Sequence, residues 1–284
     1  MKSRRNFSLL ILALPVVVAA SCLAATGVRK PNLSGVNLQR EHFLPPAPPG
    51  RRFELIFSDE FDGATLDEAK WNLPEEGHRK GGNWSPRAIS LDGRGHLLIT
   101  TFKEGDRYFT GGVNTKGKFH HAYGFYICRA KFQRQPGHWS AFWLYDEVST
   151  KRVGDDGRDG TEIDIMEKPT LDEVAQHTLH WDVELYPRHG RATRSVVFPG
   201  VMDGFHTYAV WWTPDEYIFY IDGVETWRTN AGGVCRTPLY VFVSDEIGKW
   251  GGDIRLAQLP DVFTVDYVRV YDLVETPSRP EVGW

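Results

Sequence analysis

Residues 160–167 read Gly160-Thr161-Glu162-Ile163-Asp164-Ile165-Met166-Glu167. Three carboxylates fall in this stretch, and apolar side chains fill every gap between them. Side chains of a β-strand alternate between its two faces. Glu162 and Asp164 therefore share one face, while Thr161, Ile163 and Ile165 take the other. Glu167 is out of phase by one residue. A β-bulge at Ile165-Met166 absorbs the extra residue and returns Glu167 to the acidic face. The reading predicts a strand with aliphatic side chains on one face and three carboxyls on the other. Like charges stacked on a sheet face are destabilising. Three unrelated surface acids therefore explain the pattern poorly, whereas clustered titratable groups mark functional sites.

The rest of the chain has the same period. Alternating runs recur at His96–Phe102, Phe125–Phe132, Ser195–Phe198, Thr207–Trp212, Tyr217–Ile221 and Leu239–Val243. Turn signals separate them: Asp92-Gly93, Pro136-Gly137, Asp203-Gly204, Asp222-Gly223 and Gly232-Gly233. Many short strands with such punctuation, and no long helical period, predict an all-β sandwich of two antiparallel sheets. Residues 53–274 form one domain with enough length for a sizeable core.

Paired carboxyls on one open face suit glycoside hydrolysis. A retaining enzyme needs two of them about 5–5.5 Å apart, one as nucleophile and one as acid/base. Four strand steps span roughly 13 Å between Cα atoms, a gap that two long Glu side chains can largely close. The shorter Asp164 sits between them. Its nearby charge raises the pKa of a neighbouring carboxyl and so helps keep Glu167 protonated. Composition agrees with a carbohydrate cleft, with 10 Trp, 11 Tyr and 16 Phe. Flat aromatics with polar tips match the CH faces and hydroxyl rims of sugars. Trp139 and Trp143 share a strand face, although core packing is the commoner fate of tryptophan.

The segment from Glu162 to Glu167 resembles the signature of glycoside hydrolase family 16. That signature is Glu, an aliphatic residue, Asp, an aliphatic residue, an optional hydrophobic residue and Glu. Met166 fills the optional slot, as in the laminarinase, agarase and carrageenase branch. Other stretches resemble family strands in the family order: Phe57–Gly63 with Trp71-Asn72, Tyr123–Lys131, Gly137–Trp143, Phe205–Gly223 and Asp266–Tyr271. Two departures are Ile127, where the family usually has Glu, and Ser140, where it often has Pro; both are expected on cleft-building strands. The resemblance implies a concanavalin A-like jelly roll with a concave substrate cleft. It further implies Glu162 as nucleophile, Asp164 as its helper and Glu167 as acid/base. Trp139, Trp143, His180 and Arg129 are the expected substrate-binding residues. No cofactor is expected for catalysis, and Glu60 and Asp266 resemble ligands of a structural calcium. The expected reaction is hydrolysis of internal β-glycosidic bonds, with β-1,3- or β-1,3/1,4-glucan the leading substrate. A β-galactan hydrolase, a transglycosylase and a non-catalytic sugar-binding jelly roll are the alternatives.

The ends of the chain concern export. Lys2, Arg4 and Arg5 precede an apolar run from Leu9 to Ala20, too short to span a membrane and apt for a secretory signal. Ser3-Arg4-Arg5-Asn6-Phe7 resembles a twin-arginine motif. Ala19-Ala20-Ser21-Cys22 resembles a lipoprotein cleavage box, in which Cys22 is acylated; cleavage near Ser21 or Ala24 is the alternative. The expected organisation is a signal over residues 1–22, a Pro-rich linker over 23–52, the domain over 53–274 and a tail over 275–284. A periplasmic, outer-membrane or extracellular monomer follows, with membrane attachment only through a lipid on Cys22. A net charge of −4 and no basic stripe argue against nucleic acid as a partner. A disulfide between Cys128 and Cys235 is open to an exported protein; the strand face that Cys128 shares with Tyr126, Ala130 and Phe132 favours free thiols. His177 and His180 on a strand point to opposite faces, which disfavours a zinc site.

Overall fold

The computed structural model describes residues 43–146, 161–181 and 190–277. Seventeen strands fall in these residues and form two sheets. The outer sheet holds β1 (Arg51–Asp59), β2 (Gly77–Arg79), β3 (Gly82–Trp84), β4 (Ile89–Leu91), β5 (Leu97–Glu104) and β6 (Arg107–Thr110). It is completed by β8 (Gly124–Lys131), β13 (His206–Trp212), β14 (Tyr217–Ile221), β15 (Val224–Thr229) and β17 (Asp261–Glu275). The inner sheet runs in the order β12 (Gly190–Val197), β11 (Val174–Trp181), β10 (Thr161–Lys168), β9 (His138–Tyr145), β16 (Tyr240–Ile247) and β7 (Gly112–Asn114). Every pairing in the inner sheet is antiparallel.

The sheets meet over one apolar core. Phe142 and Leu144 of β9, Ile163 and Ile165 of β10, and Val241 and Val243 of β16 are fully buried. Facing them are Tyr126, Cys128 and Ala130 of β8 with Val268 and Val270 of β17. These residues sit two apart on their strands, so the alternation read from the sequence is what builds the core. Cys128 and Cys235 are buried and unbridged.

A smaller apolar cluster covers the opposite side of the outer sheet: Phe125, Ile127, Ala209, Ile218, Tyr220, Tyr267 and Tyr271. Phe43, Leu44 and Phe53 pack on it, and the Phe43 ring lies 5.3 Å from Tyr220. The linker expected over residues 23–52 therefore gives way to packed structure by Phe43, with β1 starting at Arg51. Apolar rings among the prolines account for the difference, because they bury against a matching face. Ile127 belongs to this outer cluster, and Ser140 points into the interior, where it donates to Gln133. Neither residue lines the concave face.

Candidate active site

The concave face belongs to the inner sheet. In β10 the register breaks between Asp164 and Met166 against β9, and between Asp164 and Glu167 against β11. Ile165 and Met166 are both fully buried across this break. Two consecutive core residues form the bulge, and Glu167 returns to the face of Glu162 and Asp164. The glutamates remain partly exposed, while the shorter Asp164 is 4% exposed.

Each carboxyl has its own surroundings. Thr178 donates its hydroxyl to Glu167 Oε2 at 3.2 Å. His180 lies in register with Glu162, and its Nε2 is 3.5 Å from Asp164 Oδ2. Burial pushes the Glu162 carboxyl up to about 7, against the pull of Lys80 and Arg79. Burial and then the Glu162 charge push Glu167 up to about 7. Burial, followed by Glu167 and Glu162, raises Asp164 well above the ordinary carboxylate range. Burial and mutual repulsion disfavour ionising all three carboxyls at once. The cluster thus offers a protonated acid beside an ionised base.

Aromatic side chains complete the face. Trp139, Ala141, Trp143 and Tyr145 alternate with the core residues of β9 and point to the cleft. Trp143 stacks on Phe242 at 4.3 Å and 7°, and its Nε1 donates to Ser244 Oγ at 3.0 Å. Trp139 lies under the Lys80 ammonium, 4.7 Å from the ring centroid. The structure thus brings Glu162, Asp164, Glu167, His180, Trp139 and Trp143 to one face.

Arg129 does not join them. It lies on the outward side of β8, paired with Asp266 and stacked 4.8 Å from the Phe205 ring. Alternation forces this placement, because its neighbours Cys128 and Ala130 point into the core. The proposed calcium ligands do not fit a cation either. Glu60 accepts from Arg269 Nε at 2.8 Å and Nη2 at 2.6 Å, and Asp266 is held by Arg129. A calcium site needs carboxylates turned to the ion, whereas these two are neutralised by guanidinium groups. Among the described residues, the group able to hold a metal is Glu162, Asp164 and His180, with ligand atoms within 4.8 Å of one another. His177 turns away into the core, where Nδ1 donates to the Ile165 carbonyl at 2.6 Å.

Sequence reasoning missed Arg79, Lys80, Glu246 and Thr178. Arg79 ends β2 and Lys80 begins the turn to β3, far from β10 in the chain. Glu246 was legible in principle, since alternation continues from Tyr240 through Phe242 and Ser244 to Glu246. Cys22 and the expected signal lie outside the described residues.

The family profile for the β-porphyranase A–D GH16 domain matches residues 55–273. The chain belongs to glycoside hydrolase family 16. A keratan-sulfate endo-1,4-β-galactosidase of Sphingobacterium multivorum is 32% identical over 78% of the chain, which spans 56% of that enzyme. A β-glucanase of Rhodothermus marinus is 30% identical over 78% of the chain and 86% of the relative. The crystal structure of the laminarinase from Rhodothermus marinus superposes with a TM-score of 0.67. It is 25% identical and covers 79% of this chain and 99% of that one. This family 16 member has the jelly-roll fold and is an endo-acting glycoside hydrolase that breaks O-glycosyl bonds. Family 16 catalysis needs no cofactor.

Proposed function

We propose that this chain cleaves internal β-glycosidic bonds of a polysaccharide with retention of configuration. Glu162 attacks the anomeric carbon, Asp164 orients it and tunes its charge, and Glu167 protonates the leaving oxygen. Glu167 then acts as base toward the incoming water. The observation that carries this reading is the bulge in β10, which puts three carboxyls of unequal surroundings on one concave face. His180 steadies Asp164, and Trp139 and Trp143 offer stacking surfaces to the sugar rings.

For the glycan, we take an acidic β-galactan as the leading substrate. Arg79 and Lys80 approach the carboxyl row from one side. Arg191, in register with His180, approaches from the other and acts on Glu167. Cations at the cleft suit a chain bearing anionic substituents. The matching profile and the keratan-sulfate enzyme are also named for such polymers. A β-1,3- or β-1,3/1,4-glucan is the second reading, supported by the Rhodothermus β-glucanase. We further propose export as a monomer, with Cys22 as the one lipid attachment point.

Three measurements test the reading. Release of reducing ends from porphyran, agarose, keratan sulfate and laminarin identifies the glycan. NMR of fresh product should show the β anomer first, and Glu162→Gln should abolish turnover with the fold intact. An initial α anomer, or near-normal turnover in that variant, would remove the double-displacement assignment.

A further inference from the structure

Glu167 stands near the end of its strand, just past the bulge. It is the last residue of β10 paired to β11, through Gln176, and Lys168 is the last paired to β9, through Ser140. A bulge interrupts the ladder around the extra residue. A proton donor must nonetheless stay within hydrogen-bond reach of the oxygen it serves. The backbone that carries Glu167 therefore needs a fastening beyond the ladder itself.

Beneath the sheet, on its core side, Gln133 supplies one. Gln133 lies just beyond the end of β8 and is fully buried, as is Ser140. Its amide nitrogen donates to the Lys168 carbonyl at 2.8 Å and to the His138 carbonyl at 3.3 Å. Its amide oxygen accepts from the Ser140 hydroxyl. The groups it reaches are the last residue of β10 and the first and third of β9. A primary amide has two N–H donors and a carbonyl acceptor, so both ends of this side chain are in use. A satisfied polar network in a core specifies one arrangement of the backbone. Ser140 departs from the proline expected there, and proline has no hydroxyl to offer. The fastening continues into the next turn. The buried Lys168 ammonium donates to the Thr170 carbonyl and lies 3.4 Å from Asp172 Oδ1. Asp172 Oδ1 accepts at 3.0 Å from the backbone N–H of Val174, which opens β11. That strand carries Thr178, the hydroxyl donor to Glu167.

We infer that Gln133, braced by Ser140, is a positioning residue for Glu167. It lies on the opposite side of the sheet from that carboxyl and touches no substrate. It acts by fixing the end of β10 against the start of β9, and so sets the backbone from which Glu167 reaches the leaving oxygen. Misplacing a catalytic group by about 1 Å costs on the order of 100-fold in rate. The inference rests on the reading of Glu167 as acid/base and adds the device that aims it.

Leaving-group dependence tests it. Phenyl and dinitrophenyl β-glycosides are prepared from an oligosaccharide cut from whichever of porphyran, agarose, keratan sulfate or laminarin the wild type cleaves. kcat/KM reports bond cleavage, in which the phenyl leaving group needs a proton and the dinitrophenyl group does not. Gln133→Met keeps the length of the side chain and removes its amide. It should lose about tenfold or more in kcat/KM on the phenyl glycoside and less than about twofold on the dinitrophenyl one. Ser140→Ala should show the same selectivity in weaker form, and Ser140→Thr, which keeps the hydroxyl, should restore the wild-type ratio. Glu167→Ala is the benchmark. If it loses equally on both glycosides, the acid/base reading fails, and the positioning role with it. If Glu167→Ala is selective while Gln133→Met loses equally on both glycosides, or on neither, the positioning role alone is overturned. A purely structural residue gives that equal loss, with a lowered melting temperature. Should Gln133→Met fail to fold, Ser140→Ala decides by the same ratio, since it removes a single hydroxyl.

Discussion

Glu167 and Asp164 are both carboxyls on the acidic face, so their roles must be separated side chain by side chain. Truncating Glu167 to Ala removes the proton donor but leaves Glu162. An aryl glycoside with a good leaving group needs little protonation, so its first step should survive. The second step should stall, because no base activates water. Azide needs no base, and it should restore turnover of Glu167→Ala and yield a β-glycosyl azide. Asp164→Ala should lose activity without rescue, since Asp164 lies beside Glu162 and is too short to reach the leaving oxygen. Azide rescue confined to Asp164→Ala would reverse the assignment. At this scale the sequence was informative, because residue type and spacing alone picked out Glu162, Asp164 and Glu167. It could not show that Lys80 acts on all three, because a turn 82 positions upstream of Glu162 leaves no local pattern.

Among the elements, β10 and β16 behave differently as text. The bulge of β10 was legible because an acidic period of two breaks by one residue. Its cause in the fold is the paired burial of Ile165 and Met166. Met166→Ala should leave a cavity at this break and destabilise the protein by about 2–5 kcal/mol, with Met166→Leu costing less than about 1.5 kcal/mol. Urea denaturation measures both, and kcat of the Ala variant should fall as Glu167 loses its support. Equal midpoints for the two variants would show that Met166 does not hold the bulge. The strand β16 looked finished at Val243, where polar residues begin, yet it continues to Ile247. Ser244 and Glu246 face the cleft, while Asp245 turns into the core. There Asp245 Oδ2 accepts from Thr101 at 2.5 Å and Thr110 at 2.9 Å. A run of polar residues reads as a loop until its partners are known.

Across the whole molecule, one buried network fastens the sheets together. His138 of β9 bonds Asp245 of β16 through Nδ1 at 2.7 Å and Asp261 of β17 through Nε2 at 3.2 Å. Burial alone would depress the imidazole, but Asp245 and Asp261 override it and hold His138 up to about 10. A histidine pKa raised on folding stabilises most below its unfolded value near 6.5. That stabilisation drains away as pH climbs from about 6.5 toward 10. The melting temperature should therefore fall over this window, and His138→Gln should flatten the fall while lowering stability at pH 6. A wild-type melting temperature unchanged up to pH 10 would contradict the charged network. By itself the sequence determined the all-β class, the bulged strand, its three carboxyls and the tryptophan face of β9. Each of these is a local matter of period two, and alternation is settled by neighbours along one strand. Only the tertiary structure decided that Glu60 and Asp266 answer to arginines, and that Lys80 and Glu246 reach the cleft. Those placements depend on which strands pair and how the sheets stack, contacts between residues far apart in the chain that no local period encodes.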